Sequence, residues 1–486
     1  MTFASIIFLL FFSIVILLLS ITNIQYVKVR LGGQVNLVRH VILLLSSYIF
    51  YGWWDWRFCF LMFFITLVAY WAGIFHKQKY IITISVSVVL AILALFKYYN
   101  FFVDSLFNLL SIHSSRTLNI ILPVGISFYT FQAISYIIDV HRNKISYEKS
   151  FLHVALYISF FPQLVAGPIV KASDFLPQLK EERNVSIQNL EHGIQIFIFG
   201  LFKKIVLADN LSVYVDEVFQ NPNVFNAETI VLAIISYAMQ IYFDFSGYSD
   251  MAIGSAKCLG YDFTKNFNLP YLSKNVSEFW TRWHISLSSW LKEYLYIPLG
   301  GNRKGIQRTY INLILTMMIG GLWHGANWTF VIWGTLHGIA LCVQKIFTNV
   351  TNSQQRKPNF ATTLLAMTTS NIFICFCWVF FRADSIDTAL TLIKRVITLS
   401  DGVLHIFSWT LVSLFLLIIS HICAIIHSTS VQHTNSTLSK ATSYYNGYYM
   451  ILNLNKILSL IIFFVVIGLT IGLAYTGASP FIYFQF

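Results

Sequence analysis

Apolar positions in this chain gather into long runs separated by short polar stretches. Runs of about 17–25 residues are long enough to cross a bilayer as helices. They fall at about 4–22, 38–54, 57–75, 80–99, 119–138, 151–168, 190–208, 228–249, 309–324, 327–347, 361–382, 405–427 and 455–476, which predicts about thirteen membrane segments in an all-α, polytopic protein. The first run has no basic segment before it and no small-residue cleavage site after it, so it reads as a retained helix. No repeat, low-complexity tract or linker marks a boundary, and residues 1–486 read as one integral domain.

The stretch from Asn275 to Gly338 differs from the runs around it. It reads NVSEFWTRWHISLSSWLKEYLYIPLGGNRKG, crosses an apolar segment and ends in GGLWHGANWTFVIWGTLHG. Trp280, Trp283, His284, Leu287, Trp290, Leu291 and Tyr294 share one helical face, and Glu278, Arg282, Lys292 and Glu293 the other. This pattern predicts a helix lying at a membrane interface with its aromatic side inward. His284 therefore sits among tryptophans, and His324 closes an apolar run between Trp323 and Gly325. A titratable ring is costly to bury there without a purpose, so two of them point to proton transfer.

Composition fixes the class. Hydrophobic residues make up 57% of the chain, charged residues 11%, and the mean hydropathy is +0.67. Those values exclude an ordinary soluble protein. The net charge of +12 is scattered over loops, as the positive-inside rule requires, and no nucleic-acid-binding fold accompanies it. Six cysteines, with C-F-C at 375–377 as the one close pair, support neither a disulfide framework nor a metal site.

Basic loops orient the chain. Lys28, Arg30 and Arg39, then Lys77 and Lys79, then Arg142, Lys144 and Lys149 place the N-terminus outside, and the basic 250–308 loop also belongs inside. Simple counting puts that loop on the wrong side unless one segment is re-entrant, and 151–168, interrupted by Pro162, is the choice. Lys394 and Arg395, placed outside by this scheme, count against it.

Four further stretches carry chemistry-bearing residues. Residues 122–142 read as a kinked span or a cavity wall, and 240–263 places Asp244 and Asp250 near the end of a span, as ion-coupling groups or loop anchors. Arg303 and Lys304, in PLGGNRKG, suit either the phosphates of an anionic substrate such as coenzyme A or lipid headgroups. Tyr483, in the terminal SPFIYFQF, is either an aromatic-belt residue or an exposed nucleophile. His337 lies about 220° round a helix from His324 and need not share its face. Neither H-E-x-x-H nor G-x-S-x-G occurs.

Taken together, PVGISFYTFQ (123–132), FPQLVAGPIV (161–170), YFDFSGYSDMAIG (242–254), FWTRWHISLSSWLKEYLYIPLGGNR (279–303) and GLWHGANWTFVIWGTLHG (321–338) resemble the membrane-bound O-acyltransferases. The closer likeness is to the bacterial branch of alginate and peptidoglycan O-acetylation membrane components. It covers most of 40–345, is strongest over 120–345, and recurs at 481–486. The resemblance implies tilted helices around a central funnel, with re-entrant and interfacial helices. It puts the family's histidine, here His324, at the neck and His284 as the second site residue. Tyr483 would be an acyl relay, and Asp244, Trp283, Arg303, Lys304, Trp323 and Asn327 would line the funnel or bind the donor.

By the same resemblance, acetyl-CoA or an acyl-carrier thioester is the donor, and no metal or tightly bound cofactor takes part. The setting is the bacterial inner membrane. An extracytoplasmic partner transferase passes the acyl group to a surface glycan. Four other readings remain open. One is an ion-coupled transporter, which would carry inverted repeats. Another is a structural subunit that docks a soluble transferase. The last two, a D-alanyl and a lipid acyltransferase, belong to the same superfamily.

Overall fold

The structure, a computed structural model, describes residues 1–112, 118–165, 167–351, 359–434, 451–454, 456–477 and 481–482. Among them every regular element is helical, and a single bridge between Phe225 and Val403 is the one extended pairing. The chain's contacts group into two compact units, Met1–Phe197 with Tyr248–Thr264, and Ile198–Gly247 with Lys265–Phe486.

Among the described residues six helices are long and apolar enough to cross a membrane: Gln25–Asp55, Arg57–Ile74, Lys79–Leu109, Ala227–Cys258, Trp328–Thr348 and Phe360–Arg382. Three shorter apolar helices, Ile6–Ile21, Ser408–Ile422 and Ile457–Gly472, accompany them. The chain is thus the all-α, polytopic membrane protein that its hydropathy predicts. The number of full-length spans is smaller than the apolar runs imply, because several runs are cut by turns that hydropathy averages over. The run at 119–138 forms a helix only over Ile126–His141.

The run at 151–168 breaks where Pro162 predicts. Its helix stops at Ser159 and resumes over Phe161–Leu164. Phe160 is extended, and the Phe161 N–H is taken up by Ser47 Oγ at 3.1 Å. A backbone group freed by the break is therefore not left bare in an apolar setting. In the first unit Ile126–His141 is the central helix, with only Ile138 and His141 less than fully buried. Gly125 begins it at φ +74, and a Cβ there would strike the Leu164 carbonyl oxygen.

The second unit is built on a helical hairpin, Ile306–His324 and Trp328–Thr351. Three glycines set its close crossing. A Cβ on Gly321 would meet the Phe330 carbonyl, one on Gly334 the Met317 carbonyl, and one on Gly338 the Ile314 Cα at 2.8 Å. Small residues at such a crossing let two backbones approach to contact, which is how helices associate in lipid.

The predicted interfacial helix is corrected. It is two helices, Val276–Arg282 and Ile285–Leu291, broken at Trp283 and His284 and followed by a wide π turn over Lys292–Tyr296. The first begins with a capping box. Asn275 Oδ1 accepts from the Glu278 N–H at 2.9 Å, and the Glu278 carboxylate accepts from the Lys274 N–H at 3.0 Å. The facing holds despite the break, since all seven residues of the predicted inner face are buried.

Candidate active site

His284 stands at the break between those two helices. Its φ is +41, a left-handed value that histidine adopts more readily than most side chains but still at a cost. The backbone is held there by an incoming loop. The Asn268 N–H donates to the Arg282 carbonyl at 2.8 Å and the Ile285 N–H to the Asn266 carbonyl at 2.9 Å. Two helical hydrogen bonds are replaced rather than lost, so the break turns the ring inward without orphaning its backbone.

The side chain of Asn266 completes the arrangement. Its Oδ1 accepts from the Ser286 N–H at 3.2 Å, from the Ser286 hydroxyl at 2.9 Å, and from His284 Nδ1 at 3.1 Å. A backbone N–H can only donate, which identifies the facing amide atom as oxygen. The proton of a neutral His284 ring is then on Nδ1, and Nε2 carries a lone pair. Neutrality is enforced by burial, which pushes the imidazole down to about 3.

His324 ends the first helix of the hairpin and is 2% exposed. Gly325 then runs extended at φ −158, and a Cβ on it would occupy the place of the Phe330 ring. Asn327 restarts the chain as a helix, its Oδ1 accepting from the Thr329 N–H at 3.0 Å while its Nδ2 donates to the Asp384 carbonyl at 3.0 Å. The His284 and His324 rings come within 6.4 Å of each other, centroid to centroid. Trp323 lies 6.1 Å from His284 and 5.1 Å from His324. Trp333 and Phe381 meet His324 edge-on at 5.1 and 5.2 Å, and Phe245 meets His284 at 4.6 Å. Two imidazoles thus share one aromatic, water-poor chamber.

Of the residues singled out in the sequence, the structure brings His284, His324, Trp323 and Trp283 together. Trp283 backs the chamber through Phe279, stacked at 5.5 Å, and Trp378 at 5.1 Å. Asp244 faces Lys204 at 2.7 Å rather than an open channel. Arg303 and Lys304 are exposed on a turn whose glycines adopt φ of +115 at Gly300 and +55 at Gly301. Tyr483 lies outside the described residues.

His337 needs correction, because its helical angle from His324 has no meaning across the turn at Gly325. It lies one ring beyond His324, 5.0 Å from Trp333, and its Nδ1 accepts from Trp280 Nε1 at 3.3 Å. Asn266, Ser286, Trp333 and Phe381 were not singled out in the sequence. The one signal for the first two was a polar residue next to an aromatic on either side of the histidine, FNL at 267–269 preceded by Asn266, and HIS at 284–286.

A polytopic helical protein with a buried pair of imidazoles is suited to acid–base chemistry in an apolar setting. Comparison with known proteins defines which. The MBOAT, membrane-bound O-acyltransferase, family matches residues 141–385. The chain is 42% identical over 378 residues to a probable alginate O-acetylase AlgI of Pseudomonas putida, covering 75% of this chain and 76% of that one. It is 39% identical over 392 residues to a peptidoglycan O-acetyltransferase of Helicobacter pylori, covering 74% and 73%. It is 29% identical over 281 residues to a teichoic acid D-alanyltransferase of Bacillus subtilis, covering 54% and 69%. The chain belongs to the membrane-bound O-acyltransferase family, and it is an O-acyltransferase.

Proposed function

We propose that the chain moves an acetyl group from a cytoplasmic thioester, acetyl-CoA or an acyl-carrier protein, across the inner membrane for O-acetylation of a cell-surface polysaccharide. The observation that carries this reading is the His284–His324 pair, 6.4 Å apart inside an aromatic shell, in a member of an acyltransferase family. Acetyl is chosen over D-alanyl because the O-acetylases reach about 40% identity and the D-alanyltransferases 29%.

A thioester carbonyl is already electrophilic, so the site needs a base, an orienting group and exclusion of water. The acceptor hydroxyl oxygen attacks the carbonyl carbon while His324 Nε2 or Nδ1 takes the hydroxyl proton. The C–S bond breaks, and the same imidazole returns the proton to the leaving thiolate. General base catalysis of this kind contributes about 10²–10⁴-fold. His284, with its lone pair on Nε2, accepts a hydrogen bond from an amide N–H of the donor's pantetheine arm and so orients the thioester, leaving the hydroxyl proton to His324. It is the wrong tautomer to donate to an oxyanion through that nitrogen.

Tyr483 is the first acceptor in this reading, and a partner transferase outside the membrane carries the acetyl group on to the glycan. Coenzyme A is too polar to cross, which is why an intermediate acceptor is required. Arg303 and Lys304 meet the donor's phosphates at the exposed turn.

Proteoliposomes test this directly. With acetyl-labelled coenzyme A on one face, label is expected on the protein and then, once an extracytoplasmic transferase and glycan are added to the other face, on the glycan. Label that stays on coenzyme A under all conditions, with wild type folded and His324 intact, contradicts the reading.

A further inference from the structure

The chamber has a second buried polar centre beside it, for which acyl transfer by the histidines gives no account. Lys204 Nζ lies 2.6 Å from Asp209 Oδ1 and 2.7 Å from Asp244 Oδ1, and the three side chains are 6%, 9% and 4% exposed. Two carboxyl groups here share one ammonium in an apolar interior. Such a group is retained only where donors compensate it. The donor is a backbone amide from the far end of the chain: the Ile482 N–H gives a 2.8 Å hydrogen bond to Asp244 Oδ2.

Local structure is arranged to allow this. Helix Ala227–Cys258 carries Asp244, and Gly247, one turn on, has no room for a Cβ between the Gly200 carbonyl and the Lys204 N–H. The close approach brings Asp244 up to Lys204. Residues Lys203–Ala208 form a π turn, a widened helical turn that recurs at functional sites. The same stretch receives the C-terminal segment twice more, through the Tyr475 N–H to the Ile205 carbonyl at 2.9 Å and Asn210 Nδ2 to the Leu473 carbonyl at 3.2 Å.

The anchored segment is next to the histidines. Phe481 and Ile482 are both 3% exposed. Phe481 lies 5.9 Å from Phe245, whose ring meets His284 edge-on at 4.6 Å and 90°. One aromatic ring, Phe245, therefore separates Phe481 from His284.

We propose that Asp244, paired with Lys204, is a positioning residue that pins Phe481 and Ile482 against Phe245, whose ring packs on His284, and so fixes that wall of the site. The proposal rests on the acyl-transfer reading above. It also accounts for Asp244 without ion coupling, since both carboxylate oxygens are engaged.

The test uses the full chain in detergent or proteoliposomes, with Asp244→Asn and Asp244→Ala beside wild type. Amide hydrogen exchange is read on the C-terminal peptide that contains Ile482, and kcat and KM are read with the thioester donor. With the acceptor gone, exchange at Ile482 is expected to rise about tenfold or more in Asp244→Ala and less in Asp244→Asn, which keeps an acceptor. Turnover, normalised to the folded fraction read from cooperative melting in detergent, is expected to fall about 10–100-fold with donor KM within twofold of wild type. Unchanged exchange in both variants overturns the proposal, as does faster exchange with wild-type kcat. Tyr483→Phe separates this from failure of the relay: wild-type turnover in Tyr483→Phe removes the relay while leaving the Asp244 result to stand or fall by itself.

Discussion

Replacing Asn266 with leucine removes the amide oxygen that accepts from His284 Nδ1 while roughly keeping the side chain's volume. Three donors lose their partner: the Ser286 N–H, the Ser286 hydroxyl and His284 Nδ1. The hydroxyl can rotate to another acceptor, which leaves two fixed donors. A buried donor without a partner costs about 1–3 kcal/mol, so the ceiling is about 2–6 kcal/mol. His284 escapes its share by moving its proton to Nε2, which brings the expected loss of stability down to about 1–3 kcal/mol. The escape has a catalytic consequence, because Nε2 then donates and can no longer accept from the donor's amide N–H. Mis-set orientation of a reacting group costs about 10²-fold. Asn266→Leu is therefore expected to lower kcat about 10²-fold while the protein still accumulates in the membrane and melts cooperatively in detergent. Transfer of labelled acetyl from the thioester, at matched protein abundance, measures it. A kcat within twofold of wild type refutes the assignment of tautomer and role.

Further outcomes follow from the same geometry. Gly334→Ala places a methyl against the Met317 carbonyl, where no flexible side chain can yield, and is expected to destabilise the hairpin by about 1–3 kcal/mol, read as a lower Tm in detergent. Replacing both Arg303 and Lys304 with glutamine is expected to raise KM for acetyl-CoA several-fold with kcat unchanged, and salt added to wild type should mimic it. The depressed His284 imidazole binds no proton in the folded state near neutrality, whereas the unfolded ring does so below about 6.5. Unfolding therefore takes up a proton as the pH falls, and wild type loses up to about 1.4 kcal/mol of stability per pH unit below 6.5. His284→Asn, which tolerates the left-handed backbone, should lose this ring's share and so show a shallower fall of Tm between pH 7 and 5 than wild type.

Much of the fold was legible because lipid-length apolar runs are a strong signal. The membrane helices at 57–75 and 361–382 fall within a residue or two of those observed, Arg57–Ile74 and Phe360–Arg382. The break at Phe160 was readable from Pro162 because proline acts locally. The break at His284 was not, because no glycine or proline marks it and its cause is a loop about 16 residues upstream, Asn266–Asn268, supplying the hydrogen bonds. The inner face of that region survived the error, since the chain re-enters helix with the same side inward. His284 and His324 could be singled out from their surroundings alone. Their ring neighbours Trp333, Phe381 and Phe245 come from other helices, as does Lys204 against Asp244, and no spacing along the chain reveals such pairings.

The central claim is that His324 performs the transfer. The O-acetyl content of surface polysaccharide should be measured in cells carrying wild type or His324→Ala, at equal membrane abundance. The account predicts that acetylation is abolished in His324→Ala. Wild-type acetylation in that variant would contradict it.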